Sequence, residues 1–380
     1  MNADIAVVGL GATGSMALWR LASRGVKVAG FERHGIGHDR GSTHGETRAF
    51  FHIDPEKAAY VPLTERAAEL WSELSEASSV QLKVDVGGLF VGAEKSELIT
   101  DLDALIAQEE YAHERLSCDE IRTRFPAHRV SEGDVGIFDP LTAYLKPELA
   151  VRAAVGEAVK TGNAEVYSHA GVSRIEPHAA GVTVHVGEER YEFDRVIVAA
   201  GAWTGSLMPE YRLPLEVRRI PMTWFTASPG REEWFTPERF PVFFRDIGDQ
   251  MGWGFPTLSS IGTKIGLDGR YGEVLEDPSV NRDRAIEADK LDSIQRFVQG
   301  AFDGIDPHPT TVHPCMVTWA GKEDFIIGPM EENPRVVLLS ACSGRGMKHS
   351  PATGELAVQH ALNEVPFTDV SMFTPRVARA

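Results

Sequence analysis

The sequence predicts an α/β fold: a Rossmann-like nucleotide-binding unit interleaved with a second, α+β unit. Two observations predict it. A strand, a glycine turn, a helix and a second strand follow one another within the first thirty or so residues. Later buried strands end in small residues or glycines, with amphipathic helices between them. The chain has 380 residues, room for two or three domains. Hydrophobic residues make up 43% and charged residues 24%, which is ordinary for a folded protein.

The elements follow in order. Ile5 to Val8 is a short apolar strand, followed at once by Gly9-Leu10-Gly11-Ala12-Thr13-Gly14. Leu18, Leu21 and Ala22 share one helical face, and Gly25 stops the helix. Residues 26–31 form the second strand, ending at Glu32. Pro62 opens a helix carrying Leu63, Ala67, Leu70, Trp71 and Leu74 on one face. Residues 80–86 alternate as a strand. Leu98, Leu102, Leu105 and Ile106 mark another helix, and Asp119-Glu120 after Cys118 mark a helix start. Pro147 opens a helix that Gly162 closes. Val182, Val184 and Val186 alternate, and residues 195–200 read as a buried strand before Gly201. Further on come strands at 217–225 and 264–267, a helix near 294–297, a buried strand at 336–340 and a helix at 355–362. No long linker separates these segments, so the units are interleaved.

Composition also excludes functions. Thirty-eight Lys+Arg against 55 Asp+Glu give a net charge of −17, which disfavours nucleic acid and anionic lipid as partners. No run of about 18 apolar residues exists, so no membrane span is expected. Three cysteines, Cys118, Cys315 and Cys342, make neither a disulfide framework nor a metal site. No paired-Cys spacing appears, so no metal is expected. A cytoplasmic enzyme is the resulting expectation.

Gly9, Gly11 and Gly14 match GxGxxG. The first allows the tight turn, the second lets backbone approach a pyrophosphate, and the third lets helix and strand pack closely. Phosphates would sit at the helix N-terminus, and Glu32 would accept the ribose hydroxyls; an acid there disfavours NADP. The fingerprint alone fits FAD or NAD. Three later segments favour a buried FAD: the polar stretch 38–48, the strand end Ala199-Ala200-Gly201-Ala202-Trp203, and the turn Ser343-Gly344-Arg345-Gly346.

The sequence resembles the monomeric sarcosine oxidase family of flavin amine oxidases over essentially its whole length. The resemblance is carried by the fingerprint with Glu32, Gly41-Ser42-Thr43-His44-Gly45-Glu46-Thr47-Arg48, Tyr60-Val61-Pro62-Leu63 with Trp71, Gly254-Phe255-Pro256, Lys264-Ile265-Gly266, Cys315-Met316 and Ser343-Gly344-Arg345-Gly346-Met347-Lys348. It implies FAD, an amine substrate, oxygen as acceptor, release of peroxide, a monomer, and a mostly antiparallel substrate-binding sheet. Residues 1–85, 147–212 and 318–380 would bind FAD; residues 86–146 and 213–317 would form the substrate unit. Cys315 matches the cysteine that carries FAD through a thioether; a buried structural cysteine is the plain alternative. Lys264 matches the lysine that assists oxygen, where the ordinary reading is a solvated strand lysine. Lys348 matches the lysine that binds the substrate carboxylate, with Arg345 as a helper. His44 and Arg48 match residues at the flavin ring, while Ser42, Thr43, Gly201, Gly344 and Gly346 belong to the cofactor segments.

Three departures concern the substrate. Sarcosine-type members carry a second arginine where this chain has Phe51. A tyrosine before the Gly-Phe-Pro run is replaced by Gly252, followed by Trp253, and a histidine after the oxygen lysine by Asp268. Lost bulk at Gly252 and an acceptor at Asp268 suggest a larger, polyhydroxylated or cationic substrate, as in fructosyl-amino-acid oxidases. The expected activity is oxidation of the secondary amine of a sarcosine-like N-methyl amino acid or a fructosyl amino acid. The alternatives are a dehydrogenase-type amino-acid flavoenzyme and a non-catalytic nucleotide-binding protein.

Overall fold

The computed structural model describes residues 3–53, 58–268, 272–280, 285–321 and 324–375. Among them, six strands form a sheet in the order Ile326–Pro329, Val336–Ser340, Arg195–Val198, Ile5–Val8, Val28–Phe31, Ala164–Tyr167. All neighbours are parallel except the first pair. Ile5–Val8 is central, with Val7 opposite both Ile197 and Gly30. Its four residues are buried, as a strand covered on both faces requires. The carboxyl ends of the five parallel strands point to one side, where open α/β sheets bind ligands.

Helix Ala12–Ser23 leaves the first strand through the glycine turn. Gly9 has φ +89°, and a Cβ there would lie 2.5 Å from the Ala199 carbonyl oxygen. At Gly14 a Cβ would lie 1.9 Å from the Gly9 carbonyl oxygen, so any side chain would force helix and strand apart. The last helix, Gly346–Ala361, lies against this first one. Their backbones nearly touch: a Cβ on Gly354 would be 2.9 Å from the Ala17 amide nitrogen. The sequence places this helix only at 355–362, because Gly346, Pro351 and Gly354 lower helix propensity. Packing overrides propensity. The bond that Pro351 cannot donate to the Met347 carbonyl is replaced by the Ser350 hydroxyl at 2.9 Å.

The second large sheet is built mostly of antiparallel neighbours, with Leu215–Phe225, Thr263–Leu267, Met251–Thr257, Val242–Asp246, Gly88–Ala93 and Asp134–Asp139 in sequence along it. One pair, Val242–Asp246 with Gly88–Ala93, is parallel. Thr311–Ala320 pairs with Leu215–Phe225 over ten residues. Sequence periodicity does not announce this strand. Pro314 and His313 interrupt it, and its long antiparallel partner supplies the order. The predicted strand 80–86 shortens to Lys83–Asp85. Helix Cys118–Arg124 starts at Ser117, whose side chain and Glu120 form a reciprocal cap.

Candidate active site

A cavity of about 760 Å³ runs from the glycine turn, along the strand ends of the parallel sheet, to the face of the antiparallel sheet. The three segments singled out for the cofactor meet in it: residues 41–43 with Arg48, residues 199–203, and residues 342–348.

At one end are Gly9, Gly11, Ala12 and Thr13. The Ala12 amide donates to the Thr43 hydroxyl at 3.2 Å, which ties the polar loop to the helix start. A Cβ on Gly11 would meet only that hydroxyl, at 3.6 Å, so the residue presents backbone to open space. Glu32 is buried at the end of its strand. Its carboxylate accepts the Leu10 amide at 2.9 Å and the His34 amide at 2.9 Å, and lies 3.3 Å from the His38 ring. Burial pushes the Glu32 pKa up, but the His38 hydrogen bond and charge and the two amides outweigh it, leaving a net lowering. An anionic acid beside a glycine turn at a helix N-terminus fits the adenosine diphosphate half of FAD.

At the middle, Cys315 is buried. The Arg48 guanidinium donates to the Thr47 carbonyl at 2.7 Å and the Ser42 carbonyl at 2.8 Å, and reaches the Cys315 sulfur at 3.6 Å. A positive charge therefore sits beside that sulfur. Cys342, read from sequence as unremarkable, also lines the cavity, and burial pushes its thiol pKa up.

At the far end, Lys348 lies in the first turn of helix Gly346–Ala361 and is 4% exposed. Burial brings its pKa down to about 7. Trp71 fixes its backbone by donating an indole N–H to the Lys348 carbonyl at 2.9 Å. Arg345 also lines the cavity and stands over the Tyr60 ring, 5.3 Å from its centre. Phe51, Phe244, Trp253 and Phe255 form an aromatic wall in the same lining, together with Asp268. The Phe51 ring packs against Phe90 at 5.0 Å and Phe244 at 5.5 Å.

Lys264, His44 and Gly14 are not part of the cavity wall. Lys264 stands behind it and is 2% exposed. Its ammonium donates to the Gly45 carbonyl at 2.8 Å and the Thr47 carbonyl at 2.9 Å, among the rings of Trp224, Trp253 and Phe255. Burial and then the Arg48 charge hold its pKa well below the usual lysine range, while Glu148 and Glu46 oppose that shift. His44 is buried next to the same turn.

One expectation is corrected. Gly252 does not enlarge the cavity. A Cβ there would lie 2.3 Å from the Phe297 ring, on the opposite side of the strand from Trp253. The strand alternates: Met251, Trp253 and Phe255 face the cavity, and the glycine accommodates a core phenylalanine. Residues that sequence reasoning missed include His38, Phe244 and Met251.

Among the described residues no His, Cys, Asp and Glu cluster suits a metal ion, and no helix is long and apolar enough to cross a membrane. The fold and cavity are those of an oxidoreductase built round a dinucleotide cofactor. The chain belongs to the FAD dependent oxidoreductase (DAO) family, whose model matches residues 4–360. It is 30% identical to monomeric sarcosine oxidase of Streptomyces avermitilis, covering 98% of this chain and 97% of that protein. It is 31% identical to N-methyl-L-tryptophan oxidase of Salmonella arizonae, covering 98% of each. In fold it is similar to the open form of NikD, an unusual amino acid oxidase essential for nikkomycin biosynthesis. That likeness has TM-score 0.86 at 21% identity, over 99% of this chain and 98% of that one.

Proposed function

We propose that the protein is an oxidase of a secondary amine on an N-substituted amino acid, a sarcosine-like N-methyl amino acid or a fructosyl amino acid, with oxygen as acceptor and peroxide as product. It would work as a cytoplasmic monomer with FAD attached to Cys315. The observation that carries this is Lys348: a buried amine on a cavity wall, held at a helix start, in a cavity that aromatic rings also line. A carboxylate pairs with such a group, and little else small does so well. The names of the two curated relatives point the same way.

Bound flavin supplies the two-electron acceptor for the carbon next to nitrogen. Lys348, with Arg345, holds the substrate carboxylate. Phe51, Phe244 and Trp253 cover the amine and its substituent and exclude water. Where the substituent is a fructosyl group, Asp268 accepts a hydrogen bond from one of its hydroxyls. No side-chain base is required if the free amine binds. Lys264, behind the wall, supplies positive charge as oxygen is reduced. Arg48 and His44 bring positive or polar groups to the same region, and Gly9, Gly11, Gly14, Glu32, Ser42, Thr43, Gly201, Gly344 and Gly346 shape the cofactor's seat. The same reading assigns residues 1–85, 147–212 and 318–380 to the cofactor unit and 86–146 and 213–317 to the substrate unit. The strands of the parallel sheet fall in the first set.

The test is a peroxide screen over sarcosine, N-methyltryptophan, pipecolate, proline and fructosyl-valine, followed by rapid kinetics of Lys264→Met. We expect peroxide from at least one substrate. The variant should reoxidise with oxygen about a hundredfold more slowly, with flavin reduction by substrate little changed. No peroxide from any of the five, or equal loss in both half-reactions, would overturn the reading.

A further inference from the structure

Glu148 sits in the first turn of helix Pro147–Lys160, where sequence suggests nothing beyond a helix start. Its carboxylate reaches across the fold. One oxygen accepts the Gly45 amide at 2.6 Å and the Glu46 amide at 3.5 Å. Those residues form a tight turn, with φ +92° at Gly45 and +65° at Glu46, closed by the Thr47 amide on the Gly45 carbonyl at 2.7 Å. Positive φ is a conformation that a glutamate seldom adopts, and surrounding contacts must hold it there. Two more contacts do so. The Glu46 carboxylate accepts the Trp224 indole N–H at 3.0 Å. The Gly45 and Thr47 carbonyls take the Lys264 ammonium, and the Trp224 ring is one of the faces around that ammonium. The turn is thus clamped between a carboxylate that holds its amides and an ammonium that holds its carbonyls.

We propose that Glu148 is a positioning residue for Lys264: it fixes the turn at 44–48 so that the turn's carbonyls keep the ammonium at one place behind the cavity. The proposal rests on the reading in which Lys264 serves the reaction with oxygen. Glu148 is not part of the cavity wall. An acid in a first helical turn also stabilises its helix, and that role alone would leave the turn untouched.

The experiment uses the FAD-bound protein with Glu148→Ala and Glu148→Gln. Glutamine keeps an oxygen that accepts both amides and removes the charge. Hydrogen exchange of the 44–48 amides is followed by mass spectrometry, and the two half-reactions by rapid mixing. In Glu148→Ala we expect exchange at the turn, and the slowing of reoxidation by oxygen, each to change about tenfold, with reduction by substrate within about twofold. Glu148→Gln should recover both to within about threefold. Unchanged exchange in Glu148→Ala, faster exchange without slower reoxidation, equal loss in both half-reactions, or no recovery with glutamine would each overturn the proposal. Lys264→Met separates the two claims. If it reoxidises normally, the oxygen role of Lys264 fails, while the exchange data still report whether Glu148 holds the turn.

Discussion

Lys348 offers the sharpest prediction. Burial lowers its pKa from 10.5 to about 7, so charging this amine costs on the order of 5 kcal/mol. A carboxylate that docks against it offsets that cost and keeps the proton on. Below pH 7 the site is already charged and a carboxylate binds directly. Above pH 7 the amine must first take up a proton, so the Kd of an anionic ligand rises about tenfold per pH unit, or about a hundredfold from pH 6 to pH 9. The assay is a titration of the FAD-bound protein with benzoate, a carboxylate without an amine, read from the flavin absorbance. Lys348→Met should bind benzoate about 10–100-fold more weakly at pH 6 and lose the slope. A flat Kd from pH 6 to 9 in the wild type, or an unchanged slope in Lys348→Met, would refute the reasoning.

Two further outcomes follow from the packing and the cavity. Gly252→Ala should destabilise the fold by about 1–3 kcal/mol, seen as a lower Tm, because its Cβ would overlap Phe297. It should leave the ranking of substrates in the peroxide screen unchanged; an altered ranking would mean that Gly252 faces the substrate after all. Cys315→Ser should release FAD on acid precipitation while the wild type retains it, and wild-type protein that gave up its flavin would end the thioether assignment.

The nucleotide-binding half was legible because its signals are local. Gly9, Gly11, Gly14 and Glu32 lie within one βαβ unit, and each glycine is where a Cβ would collide or block access. The cations were legible by residue type, but not their depth. Lys264 sits behind the wall because the Gly45 and Thr47 carbonyls, more than two hundred residues earlier, take its protons. Gly252 misled because alternation says which side of a strand a residue occupies and not what fills that side. Glu148 was invisible for the same reason: its partners lie about a hundred residues away. Thr311–Ala320 depends on a long antiparallel partner, and such order cannot be read from one strand.

The near-contact of the first and last helices through Gly354 makes them a ruler. One helix begins at the glycine turn and the other just before Lys348, and residues at both starts line the cavity. The spacing between the glycine turn and Lys348 is then set by backbone against backbone. Phe244, Trp253 and Phe255 belong to a different sheet and lie outside this measure. Substitutions there can change which amine is accepted and leave the span between the two anchors as it was. A side chain at position 354 would do the opposite, shifting Lys348 relative to the glycine turn by pushing against Ala17 and Met16, neither of which lines the cavity.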